Sequence, residues 1–176
     1  AQAGNAPPVT KVVQSPPQPP YTGQGACNYR GFGFGVRRED GSGLPHLRQG
    51  TFHGEYPLAW IDFDDPDMPL EVTLEAYNPF IPLNDRDSGL PAAFFRLHLH
   101  NPGREPVQAS LAANLYNAVG YPGEGPFSGP SLGGSSNTFV QGEQVRGLWL
   151  TSERYPDDDP RAGSMALTTT WPEVDY

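Results

Sequence analysis

Short stretches in which apolar and polar residues alternate recur along this chain. The clearest spans residues 70–76 (LEVTLEA), where every second side chain is apolar and Glu71, Thr73 and Glu75 fill the positions between. Side chains of a β-strand point to opposite faces in turn, so this pattern places the apolar set on one face and the polar set on the other. The segment is therefore predicted to be a half-buried strand.

The same alternation, or a short apolar run between turn residues, predicts seven further strands. Asn101-Pro102-Gly103 is expected to join the strands at 95–99 and 107–115 in an antiparallel hairpin. By contrast, residues 117–137 are rich in Gly, Ser and Pro and show no period, which predicts a long loop. The seven strands are predicted at residues 9–14, 29–36, 58–63, 95–99, 107–115, 145–150 and 164–171.

Composition supports an all-β fold. The chain has 21 glycines and 21 prolines among 176 residues, and these residues punctuate short strands and disfavour long helices. We predict an antiparallel β-sandwich that forms part of a large two-sheet sandwich. Residues 1–25 are expected to be a Pro-rich, partly extended leader. Residues 26–176 are expected to form the sandwich domain, which is incomplete because the sequence stops directly after a predicted strand.

The charge balance argues against one broad class of partner. A formal net charge of −9, with no basic run, disfavours binding to nucleic-acid phosphates. The single cysteine, Cys27, excludes an intrachain disulfide framework and any site with several thiolate ligands. No apolar run approaches the roughly 20 residues that span a bilayer, so no membrane span is predicted. The compartment stays open, with a soluble cytoplasmic location favoured over export.

Two groups of residues have the spacing of metal ligands. His98 and His100 stand two apart on a predicted strand, as in a cupin-like metalloenzyme, but no histidine follows them in the sequence. Asp85, Asp87 and Ser88 resemble the first half of a calcium loop without the glutamate that completes it. A polar strand face and a turn held by side-chain-to-backbone hydrogen bonds are the favoured interpretations. No metal or cofactor is therefore predicted.

Two acidic runs, at residues 64–67 and 157–159, are interpreted as solvated turns. A glycosidase needs two carboxyl groups on opposite sides of the scissile bond, about 5 Å apart in a retaining enzyme. Neighbouring carboxylates on one exposed loop do not provide that arrangement. The sequence also has no G-x-S-x-G nucleophile motif. No catalytic residue is predicted in this chain.

A block of prolines carries a resemblance to a known family. In the segment NPFIPLN-x-x-DSGLP, Pro79, Pro82 and Pro91 fix three bends and lower the conformational entropy that folding must overcome. With this block, the sequence resembles the N-terminal domain of glycoside hydrolase family 116, the β-glucosidases that include the non-lysosomal glucosylceramidases. The resemblance is densest over residues 54–91, 114–123 and 145–167.

The resemblance implies a large two-sheet sandwich packed against an (α/α)6 catalytic domain. Family members are retaining β-glucosidases that act on glucosylceramide, aryl glucosides or oligosaccharides, with a glutamate nucleophile and an aspartate acid/base on the helical domain. That domain is absent from this sequence, so no catalytic residue is transferred to it. The implied role is support of the C-terminal helical domain, with a β-glucoside or glycolipid substrate at the boundary between the two.

Two segments are the candidates for interdomain or cleft-rim contacts by this analogy. They are the turn at 84–90 and the loop at 117–136. The alternative function is a free-standing carbohydrate-binding sandwich that binds glycans through aromatic residues around the long loop. The candidate contact residues are Asn84, Asp85, Asp87, Ser88, Asn117 and Tyr121.

Overall fold

A computed structural model describes residues 1–16, 43–122 and 134–176. In these ranges the chain is nearly all β and its strands pair in antiparallel fashion, which confirms the predicted fold class and is consistent with a β-sandwich. The helix α1 covers Asp85–Ser88. The strands are β1 Gln2–Ala3, β2 Gln49–Glu55, β3 Leu58–Asp64, β4 Glu71–Tyr77, β5 Phe94–His100, β6 Val107–Gln108, β7 Ser135–Gln141, β8 Arg146–Ser152 and β9 Met165–Thr169.

The chain divides into two compact units, Ala1–Ser110 and Leu111–Tyr176. The first unit contains a four-stranded sheet in the order β2-β3-β4-β5 and a two-stranded sheet of β1 and β6. The second unit contains a three-stranded sheet in the order β7-β8-β9. In both larger sheets each strand pairs with its neighbour in sequence, so both sheets are meanders joined by turns and loops.

The register of the four-stranded sheet sorts its side chains by polarity. In the core of the first unit, Val72 is only 6% exposed. Thr73 faces the other way, where its Oγ1 donates a hydrogen bond of 2.7 Å to Asp62 Oδ1. This agrees with the face assignment predicted for residues 70–76. The apolar face carries the cross-strand rows Phe63–Val72–Leu99 and Ile61–Leu74–Leu97.

The predicted hairpin between residues 95–99 and 107–115 is wrong. β5 pairs with β4 instead, and β6 is a two-residue strand that pairs with β1. Beyond β6, Leu111 is 61% exposed and Leu115 is 42% exposed, so the apolar alternation there has no sheet face to occupy. Alternation identifies which side chains share a face, but it does not identify the partner strand.

Three strands escaped the sequence analysis: β1, which lies in the predicted leader, β2 and β7. β2 includes Gly50, His53 and Gly54, and β7 lies partly inside the predicted loop. Neither segment has strong strand propensity, but each pairs along its full length with an adjacent strand that does. The predicted strand at 9–14 is reduced to a single parallel bridge between Val12 and His46. The predicted strand at 29–36 lies outside the described residues.

The side chain of Asp65, in the connection between β3 and β4, is buried rather than solvated. Its side chain is 1% exposed and lies 2.6 Å from Lys11 Nζ. The backbone N–H groups of Arg48 and Asp67 each donate to its carboxylate at 3.0 Å. Burial alone would raise the pKa of Asp65, but these hydrogen bonds, together with the charge of Lys11, lower it overall. The carboxylate therefore ties the N-terminal segment to the four-stranded sheet.

We expect Asp65→Asn to lower the free energy of unfolding by about 1–2 kcal/mol, because Lys11 loses its nearest counter-charge. The native pKa of Asp65 lies below its unfolded value. Its contribution should thus be complete above about pH 4 and disappear as the pH falls through the native pKa. Urea denaturation of both proteins between pH 2 and pH 7 measures this convergence. Asp67→Asn, at a side chain that is 64% exposed, is the matched control; equal losses in the two variants would contradict the expectation.

We expect Gly147→Ala to destabilise the three-stranded sheet by about 2–3 kcal/mol. Gly147 lies in β8 with φ of +156°, and an added Cβ would overlap the backbone carbonyl oxygen of Leu167 on β9. The midpoint of urea denaturation gives the change. Gly163→Ala is the control, because a Cβ there meets nothing within 4 Å. Equal midpoints for the two variants would show that β8 and β9 are not this close.

Candidate functional site

The β4–β5 turn (residues 78–93) contains four of the six predicted contact residues. Leu83 has a left-handed backbone with φ of +63° and stands two residues before helix α1. Asn84 caps that helix: its side-chain oxygen accepts from Asp87 N at 3.0 Å, and its Nδ2 donates to Asp87 Oδ2 at 2.7 Å. Such a cap satisfies a backbone N–H that has no partner within the helix.

Ser88 closes the same turn from its other end. Its Oγ accepts a hydrogen bond from Ile81 N at 2.9 Å and lies 3.0 Å from Ile81 O, to which it donates. Three of the predicted contact residues, Asn84, Asp87 and Ser88, are thus engaged in holding the turn. This matches the interpretation of a turn held by side-chain-to-backbone hydrogen bonds. Across the ranges that the structure describes, no group of three or more His, Cys, Asp or Glu side chains is placed to hold a metal ion.

The turn exposes a group of large apolar side chains. Four large side chains, which we name the apolar crest, project from it; Leu83 alone is fully exposed, at 108% of its reference area. Beside the crest lies a shallow open depression of about 260 Å³, whose polar lining is Asn84, Asp85 and Ser88. The sequence analysis selected the polar residues and missed the crest, although the NPFIPL segment is unusually apolar for a loop. The crest consists of Phe80, Ile81, Leu83 and Leu90.

The remaining two predicted contact residues, Asn117 and Tyr121, lie in the second unit. Asn117 anchors the start of the predicted loop, since its Oδ1 accepts from Val119 N at 3.0 Å. Tyr121 is half-buried, and its backbone N–H donates to Ala118 O at 3.1 Å. The middle of the loop, at 123–133, lies outside the described residues. Asn117 Nδ2 is also within hydrogen-bond distance of Ser136 O at 3.3 Å, Asn137 Oδ1 at 2.9 Å and Thr151 O at 3.0 Å.

His98, one of the candidate metal ligands, pairs with a carboxylate on the polar face of the four-stranded sheet. Its Nε2 lies 2.9 Å from Glu75 Oε2, and Arg96 Nη1 donates to both carboxylate oxygens of Glu75 at 3.1 and 3.2 Å. The hydrogen bond from His98 lowers the pKa of Glu75; burial opposes this effect, and the charge and hydrogen bonds of Arg96 reinforce it. The arrangement fits a polar strand face.

The fold and these features define an all-β domain that exposes a group of large apolar side chains on its β4–β5 turn. Over residues 2–175 the sequence matches the family described as beta-glucosidase 2, glycosyl-hydrolase family 116 N-term. The chain belongs to this family, and the resemblance inferred from the proline block is confirmed. An N-terminal domain of this kind implies a catalytic domain elsewhere in the full protein.

Within the described ranges the structure contains no helix long and apolar enough to cross a bilayer.

We expect Asn84→Ala to loosen the turn by about 1 kcal/mol, because the helix loses its cap. The amide hydrogens of Ser88 and Gly89, which donate to the carbonyl oxygens of Asn84 and Asp85, should then exchange roughly fivefold faster. Hydrogen exchange resolved at these two amides is the measurement. Arg86→Ala, an exposed change in the same helix, is the control; identical rates in both variants would show that Asn84 does not hold the turn.

Proposed function

We propose that this domain is the non-catalytic N-terminal sandwich of a retaining β-glucosidase of the glucosylceramidase type. It supports the helical catalytic domain, and its β4–β5 turn contacts that domain at the rim of the cleft that binds a β-glucoside or glycolipid. The observation that carries the proposal is Leu83, a fully exposed apolar side chain at the centre of the crest.

The apolar crest is costly to leave in water. Burying one leucine side chain stabilises a protein by about 1.5–3 kcal/mol, and four large apolar side chains project from this one turn. Leu83 is 108% exposed, and Ile81 and Leu90 are 49% and 55% exposed. Several exposed large apolar side chains on one turn are typical of a surface that binds a partner. The catalytic domain implied by the family is the partner that every copy of the full protein contains.

The backbone of the turn supports the same conclusion. A left-handed conformation costs a residue other than glycine about 1–2 kcal/mol, and Leu83 adopts it at φ of +63°. The hydrogen bonds of Asn84 and Ser88 hold the flanking residues in place. A rigid turn loses little conformational entropy when it binds, which favours its use as a contact.

The polar residues beside the crest have a second role in this proposal. Asp85 makes no hydrogen bond through its carboxylate to another residue of the described ranges, and it lines the depression next to Leu83. A carboxylate in that position is suited to accept hydrogen bonds from a sugar hydroxyl or from a donor on the catalytic domain. Asn117 and Tyr121 are proposed as further interdomain or rim contacts in the second unit.

We expect Leu83→Ser in the full-length protein to lower the free energy of unfolding by about 1–2 kcal/mol, because the side chain no longer contributes buried apolar area. Denaturant unfolding followed together with hydrolysis of an aryl β-glucoside is the measurement. A loss of stability indicates an interdomain contact, whereas a raised KM with unchanged stability indicates the cleft rim.

Leu44→Ser is the matched control for this experiment. Leu44 is also an exposed leucine of the first unit, at 58% exposure, and it lies outside the β4–β5 turn. The proposal would be contradicted if stability, kcat and KM of Leu83→Ser all equalled those of Leu44→Ser.

A further inference from the structure

The three-stranded sheet of the second unit presents one face with an exposed tryptophan at its centre. Trp149 lies in the middle strand, β8, directly opposite Thr138 on β7 and Ala166 on β9. Its side chain is 45% exposed, whereas the next residue, Leu150, points to the other face and is 1% exposed. We name the face that carries Trp149 the tryptophan face.

The positions closest to Trp149 on this face carry small side chains. The two cross-strand neighbours, Thr138 and Ala166, are small. Gly147, two residues earlier on the same face, has no side chain, and the close approach of Leu167 leaves no room for one. The largest other side chain among the paired positions on this face is Val140, opposite Gly147, so the paired neighbours do not enclose the indole.

The tryptophan face is also uncharged. The paired residues that surround Trp149 on this face include four with hydroxyl groups, and none of the paired positions on the face carries a charge. This is unusual in a chain with a formal net charge of −9. The paired positions of this face therefore offer a charged partner no side chain of opposite charge. The four hydroxyl residues are Ser136, Thr138, Thr151 and Thr168.

We infer that the tryptophan face binds a neutral carbohydrate chain. The C–H face of a hexose ring packs against an indole, and hydroxyl groups beside the ring exchange hydrogen bonds with the hydroxyls of the sugar. The absence of charge selects a neutral glycan over an acidic one, which agrees with membership of a glycosyl-hydrolase domain family. The inference does not depend on the contact proposed for the β4–β5 turn.

The test is native affinity electrophoresis of the full-length protein in gels that contain hydroxyethyl cellulose, a neutral soluble β-glucan. A saturating iminosugar inhibitor occupies the active site throughout, so that retardation reports binding elsewhere. We expect retardation of the wild-type protein and roughly tenfold weaker retardation of Trp149→Ala, with Trp149→Phe intermediate because it keeps an aromatic ring. Carboxymethyl cellulose, the charged analogue, should retard the wild-type protein less.

Trp171→Ala is the matched control, since Trp171 is 67% exposed and lies outside the three-stranded sheet. Its retardation should equal that of the wild type. Two results would overturn the inference. One is no retardation of the wild-type protein. The other is the same retardation in all three variants, Trp149→Ala, Trp149→Phe and Trp171→Ala. Loss of thermal stability in Trp149→Ala without wild-type retardation would identify the face as a protein contact instead.

Discussion

The antiparallel register of β2 to β5 is the constraint on which the rest of the first unit depends. Because side chains alternate along each strand, this one register gathers Val72 and its partners on one face and Thr73, Glu75 and His98 on the other. It also fixes where β4 ends and β5 begins. Tyr77 and Phe94 are the last paired residues, and their rings stack with centroids 5.1 Å apart, so residues 78–93 must close on themselves at that end of the sheet.

That closure explains why polar side chains of the β4–β5 turn are hydrogen-bonded within the turn while several of its apolar side chains are exposed. The prolines restrict the backbone, and the side chains of Asn84 and Ser88 satisfy backbone groups that the strands no longer pair. With Asn84, Asp87 and Ser88 engaged internally, the turn exposes Ile81 and Leu83. The exposed apolar surface is therefore a consequence of how the turn is built, and it supplies a rigid contact surface for the catalytic domain that we propose as its partner.

Fold class and the strongest strands were predictable from the sequence because the alternation at residues 70–76 and 95–99 and the apolar run at 58–63 are local properties. Strand pairing was not, since the two-residue strand Val107–Gln108 finds its partner more than a hundred residues away at Gln2–Ala3. Strands β2 and β7 depend on neighbours that force weak segments to extend. In the candidate site, the sequence located the turn but favoured its polar residues. The burial of Asp65 against Lys11 likewise needed the fold.

The most direct measurement is the rate at which a maleimide labels Leu83→Cys in the native full-length protein, relative to Leu44→Cys, with Cys27 replaced by serine in both variants. Each rate is divided by the rate for the same variant in denaturant. In the isolated chain Leu83 is the more exposed of the two residues, at 108% against 58%. A catalytic domain seated on the apolar crest predicts the reverse order, with Leu83→Cys the slower to react. Faster labelling of Leu83→Cys in the full-length protein would contradict the account.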